Sequence, residues 1–129
     1  MAVLTTGLCR CASLYRKKQY KMNYVNIPNA EFQKKSQEPD TVILDVRTAG
    51  EFEEGFIPHA KNIDIMGGRF VDELTKLDKS KTYLVYCRSG NRSGSACSVM
   101  AANGFTKVYN LANGIMFWDG PVSTQFENN

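Results

Sequence analysis

The sequence lacks several features that define whole classes of proteins. Its 129 residues contain no apolar run near the roughly 20 residues that a membrane-spanning helix needs, since the best stretch, residues 82–87, is far shorter. No low-complexity tract is present, and 43% hydrophobic with 22% charged residues is ordinary for a soluble globular domain. We therefore expect a compact, water-soluble fold that does not enter a membrane.

The four cysteines and the single histidine do not indicate a disulfide framework or a metal centre. The four cysteines sit in a chain long enough to fold without disulfides, which favours a reducing compartment. We expect a cytoplasmic protein. Cys9 and Cys11 form a Cys-x-Cys pair, but without a second ligand pair they fall short of a zinc site. No metal or nucleotide site is visible, so no cofactor is expected.

Acidic residues are absent from the first 22 positions, which carry five of the 16 basic residues. The remaining chain has 11 basic and 13 acidic residues, so nothing in it indicates the concentrated positive charge of a nucleic-acid-binding domain. We interpret residues 1–22 as a basic leader that is disordered, a targeting segment or an artefactual extension. Organelle targeting through it is the alternative to a cytoplasmic location. Residues 23–129 form the predicted domain.

From residue 24 onward, short apolar runs alternate with helical patterns, which is typical of α/β proteins. Strands are predicted over residues 24–27, 41–46, 62–65, 82–87 and 107–111. Helices are predicted over residues 29–35, 48–54, 68–77, 91–103 and 114–118. The fold predicted is a single α/β domain with a central, mostly parallel five-stranded sheet flanked by helices on both faces. Residues 41–46 and 82–87 are almost entirely apolar, as central strands should be.

The stretch TYLVYCRSGNRS, residues 82–93, carries the chemistry. A predicted buried strand ends at Cys87, and a polar loop containing Gly90 leads directly into a helix. Ligands of parallel α/β sheets bind at the carboxyl ends of strands, so the Cys87 thiol is expected to open into a crevice. The positive end of the following helix and the guanidinium groups of Arg88 and Arg92 would lower its pKa. Consecutive loop N–H groups would also cradle an anion, such as thiosulfate or a persulfide donor.

Three segments resemble the rhodanese family. Its active loop reads Cys-x-x-Gly-x-Arg, matched by residues 87–92, and the strings LDVRTAGEFEEGFIPHAKNI and YNLANGIMFWDG resemble its other signature segments. The resemblance implies a sulfurtransferase that moves sulfur through a Cys87 persulfide to a thiol or cyanide acceptor, with a protein as a further acceptor. The residues expected to bind the anionic donor are Arg88, Ser89, Gly90, Asn91 and Arg92.

Other polar residues are assigned supporting or structural roles. Asp45 closes a central strand at the same sheet edge as Cys87 and is expected to orient the loop or cap the next helix, while Arg47 is expected to form a local ion pair with Glu51. Cys97 is assigned to core packing, with a resolving thiol as the alternative. His59 is assigned to the surface.

Two rival functions remain open from the sequence. A phosphatase or arsenate reductase also uses a cysteine thiolate in an amide cradle with an arginine, but the Cys-x4-Arg spacing found here is one residue shorter than theirs. A sulfur carrier that serves one partner protein would use the same loop as the enzyme.

Overall fold

A five-stranded sheet organises the chain in the computed structural model, which describes residues 24–124. The predicted leader lies outside the described residues. The strands are β1 (Val25–Ile27), β2 (Thr41–Asp45), β3 (Lys61–Asn62), β4 (Thr82–Tyr86) and β5 (Val108–Leu111). The helices are α1 (Asn29–Ser36), α2 (Ala49–Glu54), α3 (Phe70–Leu74) and α4 (Asn91–Ala102), and a 3₁₀ helix spans Ile115–Phe117.

The strand order is β1-β5-β4-β2-β3, and every pair in the sheet is parallel. The α/β prediction is confirmed, and β4 and β2 are the central strands, as their apolar sequences indicated. The predicted "mostly parallel" sheet is in fact wholly parallel. Because parallel strands have their carboxyl ends at the same edge of the sheet, the chain leaves β4 and β2 at that edge.

Side chains of β4 alternate between two cores, because successive residues of a strand point to opposite faces. Tyr83 and Val85 pack with α3 and α4 in one buried cluster. Leu84 and Tyr86 pack in the other cluster, which contains Phe32 of α1. Helices therefore cover both faces, and Cys87, the next residue in the alternation, belongs to the cluster under α4.

Two predicted elements are shorter than expected. The strand predicted over residues 62–65 ends at Asn62, because the Asp64 carboxylate accepts a hydrogen bond from the N–H of Met66 at 2.8 Å and starts a turn. The helix predicted over residues 68–77 spans only Phe70–Leu74, and its last residues continue as turns with i to i+3 hydrogen bonds. The predicted final helix is the 3₁₀ helix.

No helix among residues 24–124 is long and apolar enough to cross a membrane.

Candidate active site around Cys87

Cys87 stands at the junction of β4 and α4, and residues 87–92 are called the active loop below. β4 ends at Tyr86, and α4 begins at Asn91 with Gly90 as its N-cap. Gly90 has a φ of 101°, a left-handed conformation that side chains rarely adopt. A Cβ at this position would also lie closer than 3.0 Å to the carbonyl oxygen of Ala112. Only glycine lets the chain turn this tightly against the end of β5.

Hydrogen-bond donors surround the Cys87 sulfur. The Gly90 N–H donates to Sγ at 3.1 Å, and the Ser93 hydroxyl donates to it at 3.3 Å. Burial by itself raises the pKa of the thiol, but the Ser93 hydroxyl and the main-chain N–H groups of Ser93, Gly90 and Ser89 outweigh it. The pKa of Cys87 is therefore lowered from its ordinary value, so a larger fraction of the thiol is ionised at a given pH than in an ordinary cysteine.

The thiol does not open into a crevice as the sequence led us to expect. Cys87 has 0% of its surface exposed. The physical reason is the loop itself, which must fold back over the sulfur so that its N–H groups can point inward. The contacts that stabilise the anion also cover it, while Arg88, Ser89 and Asn91 lie exposed on the outside of the loop.

The Arg92 guanidinium forms an ion pair with a carboxylate from another helix. Arg92 donates two hydrogen bonds to the Glu51 carboxylate, at 2.7 and 3.0 Å. This contact is the main reason that the pKa of Arg92 is raised, and the charge of Cys87 adds a smaller effect. Hydrogen bonds from Ser93 and the loop N–H groups are the largest effects that lower the pKa of the thiol, and the attraction between its charge and Arg92 acts in the same direction. Arg92 thus anchors the start of α4 to α2.

Glu51 also belongs to the N-terminal cap of α2. Thr48 accepts a hydrogen bond from the Glu51 N–H at 3.2 Å, and the Glu51 carboxylate accepts one from the Thr48 N–H at 3.2 Å. This reciprocal capping box fixes the carboxylate that Arg92 binds. The hydrogen bond from Arg92 is the largest influence on Glu51, whose pKa falls to about 2.

The predicted pair between Arg47 and Glu51 is wrong. Arg47 instead pairs with Asp45 at 2.6 Å, and both residues are almost fully buried. Arg47 also donates to the carbonyl oxygen of Gly55 at 2.7 Å. Asp45 does not cap the following helix, because Thr48 is its N-cap. The Asp45 carboxylate instead accepts hydrogen bonds from Arg47. A buried charge needs such a partner, which explains why the two residues select each other.

The segment after β5 forms hydrogen bonds with the backbone of the active loop. The N–H of Ile115 donates to the carbonyl oxygen of Cys87 at 2.9 Å, and the N–H of Met116 donates to that of Arg88 at 3.0 Å. Gly114, with a φ of 70°, lies so close to the loop that a Cβ would overlap the Arg88 carbonyl. The 3₁₀ helix thereby fixes the position of the loop backbone.

Sequence reasoning missed Ser93, the residue with the largest lowering effect on the thiol pKa. It is fully buried in the first turn of α4, six positions after Cys87. A signal was present, since a serine this early in a helix that starts beside a cysteine can face back toward it. Cys97 is buried in the same cluster and its pKa is raised by burial, in keeping with a packing role. His59 is exposed, also as expected.

Within residues 24–124, no three histidine, cysteine, aspartate or glutamate side chains lie together as metal ligands would.

Comparison with known proteins places the chain in a family. The model of the rhodanese-like domain matches residues 28–120. A putative sulfurtransferase, YtwF of Bacillus subtilis, is 40% identical over 78 residues, which cover 60% of this chain and 73% of the relative. The thiosulfate sulfurtransferase GlpE of Coxiella burnetii is 33% identical over 107 residues, covering 83% of this chain and 98% of GlpE.

A solved structure agrees with the sequence comparisons. The crystal structure of a rhodanese-related protein from Thermoplasma volcanium superimposes with a TM-score of 0.70 at 28% identity. The match covers 79% of this chain and all of that one. The parallel sheet, the loop that closes over Cys87 and the matched span of sequence lead to one conclusion: this chain belongs to the rhodanese-like domain family.

Proposed function

We propose that this protein is a sulfurtransferase that moves sulfane sulfur from thiosulfate or a persulfide donor to a thiophilic acceptor through a persulfide on Cys87. The observation that carries the proposal is the ring of donors that lowers the pKa of the Cys87 thiol. Relatives named as sulfurtransferases support the general activity. Thiosulfate as the donor, the persulfide and the identity of the acceptor belong to the proposal.

The reaction runs in two displacements at sulfur. The Cys87 thiolate attacks the outer sulfur of thiosulfate, a Sγ–S bond forms, and the S–S bond of thiosulfate breaks with its electron pair leaving on sulfite. The acceptor, a cyanide ion or a thiolate, then attacks the outer sulfur of the persulfide. The Sγ–S bond breaks, thiocyanate or a new persulfide leaves, and the Cys87 thiolate is restored. Splitting the transfer in this way needs a nucleophile that is also a good leaving group, which a thiolate of lowered pKa is.

The active loop supplies the electrostatics of both steps. Negative charge rests on the Cys87 sulfur before the first step and returns to it after the second. The N–H groups of Gly90 and Ser89 and the Ser93 hydroxyl are already oriented toward that charge, so no dipole has to reorganise. Exposed Arg88 carries the positive charge that attracts an anionic donor to the loop.

Hydrolysis of phosphate esters and reduction of arsenate fit the site less well. A tetrahedral oxyanion in an amide cradle needs an arginine that is free to bind it. Here the Arg92 guanidinium is occupied by both oxygens of Glu51. The short Cys-x4-Arg spacing and this ion pair disfavour that chemistry together.

One observation favours a second candidate, a sulfur carrier that serves a single partner protein. Cys87 has no exposed surface, so a small donor reaches the sulfur only when the loop opens. A protein that binds the loop could supply that opening through its own contacts. The carrier would load slowly from free thiosulfate and quickly from its partner.

Thiocyanate formation from thiosulfate and cyanide tests the proposal. The wild-type protein should turn over, and Cys87→Ser should be inactive. Cys97→Ala, which changes the other buried cysteine, is the matched control and should retain activity. Activity that survives in Cys87→Ser would contradict the proposed mechanism. Stoichiometric loading without turnover would favour the carrier.

A further inference from the structure

Asn110 has a buried side-chain amide close to the active loop. It lies in β5, where Val108 and Leu111 are buried hydrophobic residues, and only 3% of its surface is exposed. In the parallel register it stands beside Val85 of β4, two residues before Cys87. Its position in the alternation of β5 is that of Val108, so its side chain lies on the face covered by α4.

One of the two polar atoms of the Asn110 amide has no partner. The side-chain oxygen of Asn110 has no hydrogen-bond partner, and it is the one buried side-chain polar atom in this state among residues 24–124. Burying an unpaired carbonyl oxygen opposes folding, so the amide at this position is accounted for by what its nitrogen binds.

The amide nitrogen of Asn110 reaches the active loop. Nδ2 donates to the carbonyl oxygen of Gly90 at 3.2 Å and to the side-chain oxygen of Asn26 at 2.9 Å. The same Gly90 carbonyl accepts the N–H of Gly94 in the first turn of α4 at 3.0 Å. Gly90 is therefore held from β5 and from α4 at once.

The backbone N–H of Gly90 contacts Cys87. Its N–H donates to Sγ at 3.1 Å, while its carbonyl faces Asn110 and α4. Glycine has the most freedom of any residue to rotate about φ and ψ, so its N–H keeps this direction only if the rest of the residue is fixed. The hydrogen bond from Asn110 supplies one of these fixed points.

We propose that Asn110 is a positioning residue, which holds Gly90 so that the Gly90 N–H stabilises the Cys87 thiolate. The role rests on the proposed function of Cys87 as the sulfur-carrying nucleophile, and it adds the residue that sets the geometry of its cradle. The side-chain hydrogen bonds of Asn110 go to Asn26 and Gly90 and not to the reacting sulfur. It acts through Gly90 alone.

The pKa of the Cys87 thiol is the direct readout, since a residue that only supported the fold would leave it unchanged. It is measured from the pH dependence of alkylation by iodoacetamide, in a Cys97→Ala background. Asn110→Leu should raise this pKa by about 0.5 to 1, which is a roughly three- to tenfold loss of thiolate at any pH well below the pKa. Asn103→Leu is the matched control, because Asn103 donates from its side chain to the Val99 carbonyl at 2.7 Å, away from the loop. It should leave the thiol pKa unchanged.

A folded Asn110→Leu protein with the thiol pKa of the background protein would overturn the proposal. If that variant does not fold, Asn110→Ser decides the question in the same assay, because the shorter side chain leaves the strand intact but falls short of the Gly90 carbonyl. The thiol pKa is measured without any sulfur donor. Failure of Cys87 to accept sulfur would therefore refute the proposed function alone, while an unchanged pKa would refute the role of Asn110 alone.

Discussion

Replacing Ser93 by alanine tests how the fold activates Cys87. The change removes the hydroxyl that donates to Sγ at 3.3 Å and leaves a small apolar side chain in a fully buried position. Hydrogen bonds to charged groups contribute about 1.5–3 kcal/mol, and a long contact to sulfur belongs at the lower end of that range. Because one pKa unit corresponds to about 1.36 kcal/mol, the thiol pKa should rise by about 1.

The effect on rate is smaller than the effect on the thiolate population. Below the pKa, a rise of about 1 reduces the thiolate fraction about tenfold. A thiolate of higher pKa is intrinsically more nucleophilic, with a Brønsted coefficient of about 0.4–0.5, which recovers about threefold. Persulfide formation from thiosulfate should therefore slow about three- to fourfold at a fixed pH below the pKa.

Stopped-flow alkylation across pH gives the thiol pKa, and single-turnover sulfite release gives the rate. Ser98→Ala, on the exposed side of the same helix, is the control and should change neither quantity. Suppose Ser93→Ala folds normally and its thiol pKa stays within about 0.2 of the wild-type value. The claim that the Ser93 hydrogen bond is the largest influence lowering the thiol pKa would then be refuted.

Three further substitutions test the supports of the site. Glu51 has a pKa lowered to about 2 by Arg92, so the ion pair contributes stability above pH 4.5 that is lost as the pH falls toward 2. Allowing for partial exposure, Glu51→Gln should lower the free energy of unfolding in urea by about 1–2 kcal/mol at pH 7 and by almost nothing near pH 2. An equal loss of stability at the two pH values would contradict the pairing. Asp45→Ala leaves the buried Arg47 charge unpaired and should cost about 3–5 kcal/mol in the same titration, whereas a surface-like loss below about 1 kcal/mol would contradict burial of the pair. Gly114→Ala should cost about 2–3 kcal/mol and slow thiocyanate formation, because its Cβ would displace the active loop; an unchanged melting temperature would show that the loop yields freely.

The sequence predicted the fold well because its strongest signals are local. The apolar runs of β2 and β4 can be satisfied only by burial on both faces, and the alternation with helices requires a parallel sheet. The same local order placed Cys87 correctly, since a strand, a glycine-containing turn and a helix follow each other directly. The sequence pattern of β3 is weaker, and its length was predicted wrongly because a single turn at Asp64 follows the strand.

The partners of the charged residues could not be predicted in the same way. Arg92 and Glu51 are 41 positions apart in the chain, and only the tertiary fold brings them together. One local clue was available, because Thr48-x-x-Glu51 is the pattern of a capping box and commits the glutamate to the helix start rather than to Arg47. The burial of the Cys87 thiol depends on the conformation of the active loop, which cannot be predicted from the spacing of its residues.

The central claim is that the Cys87 sulfur accepts a second sulfur atom. Mass spectrometry of the protein after treatment with thiosulfate, followed by proteolysis without reductant, measures this directly. We predict one added sulfur atom on the peptide that contains Cys87, its loss after addition of cyanide, and no addition to that peptide in Cys87→Ser. An unmodified Cys87 peptide in the treated wild-type protein, or sulfur that cyanide does not remove, would contradict the account.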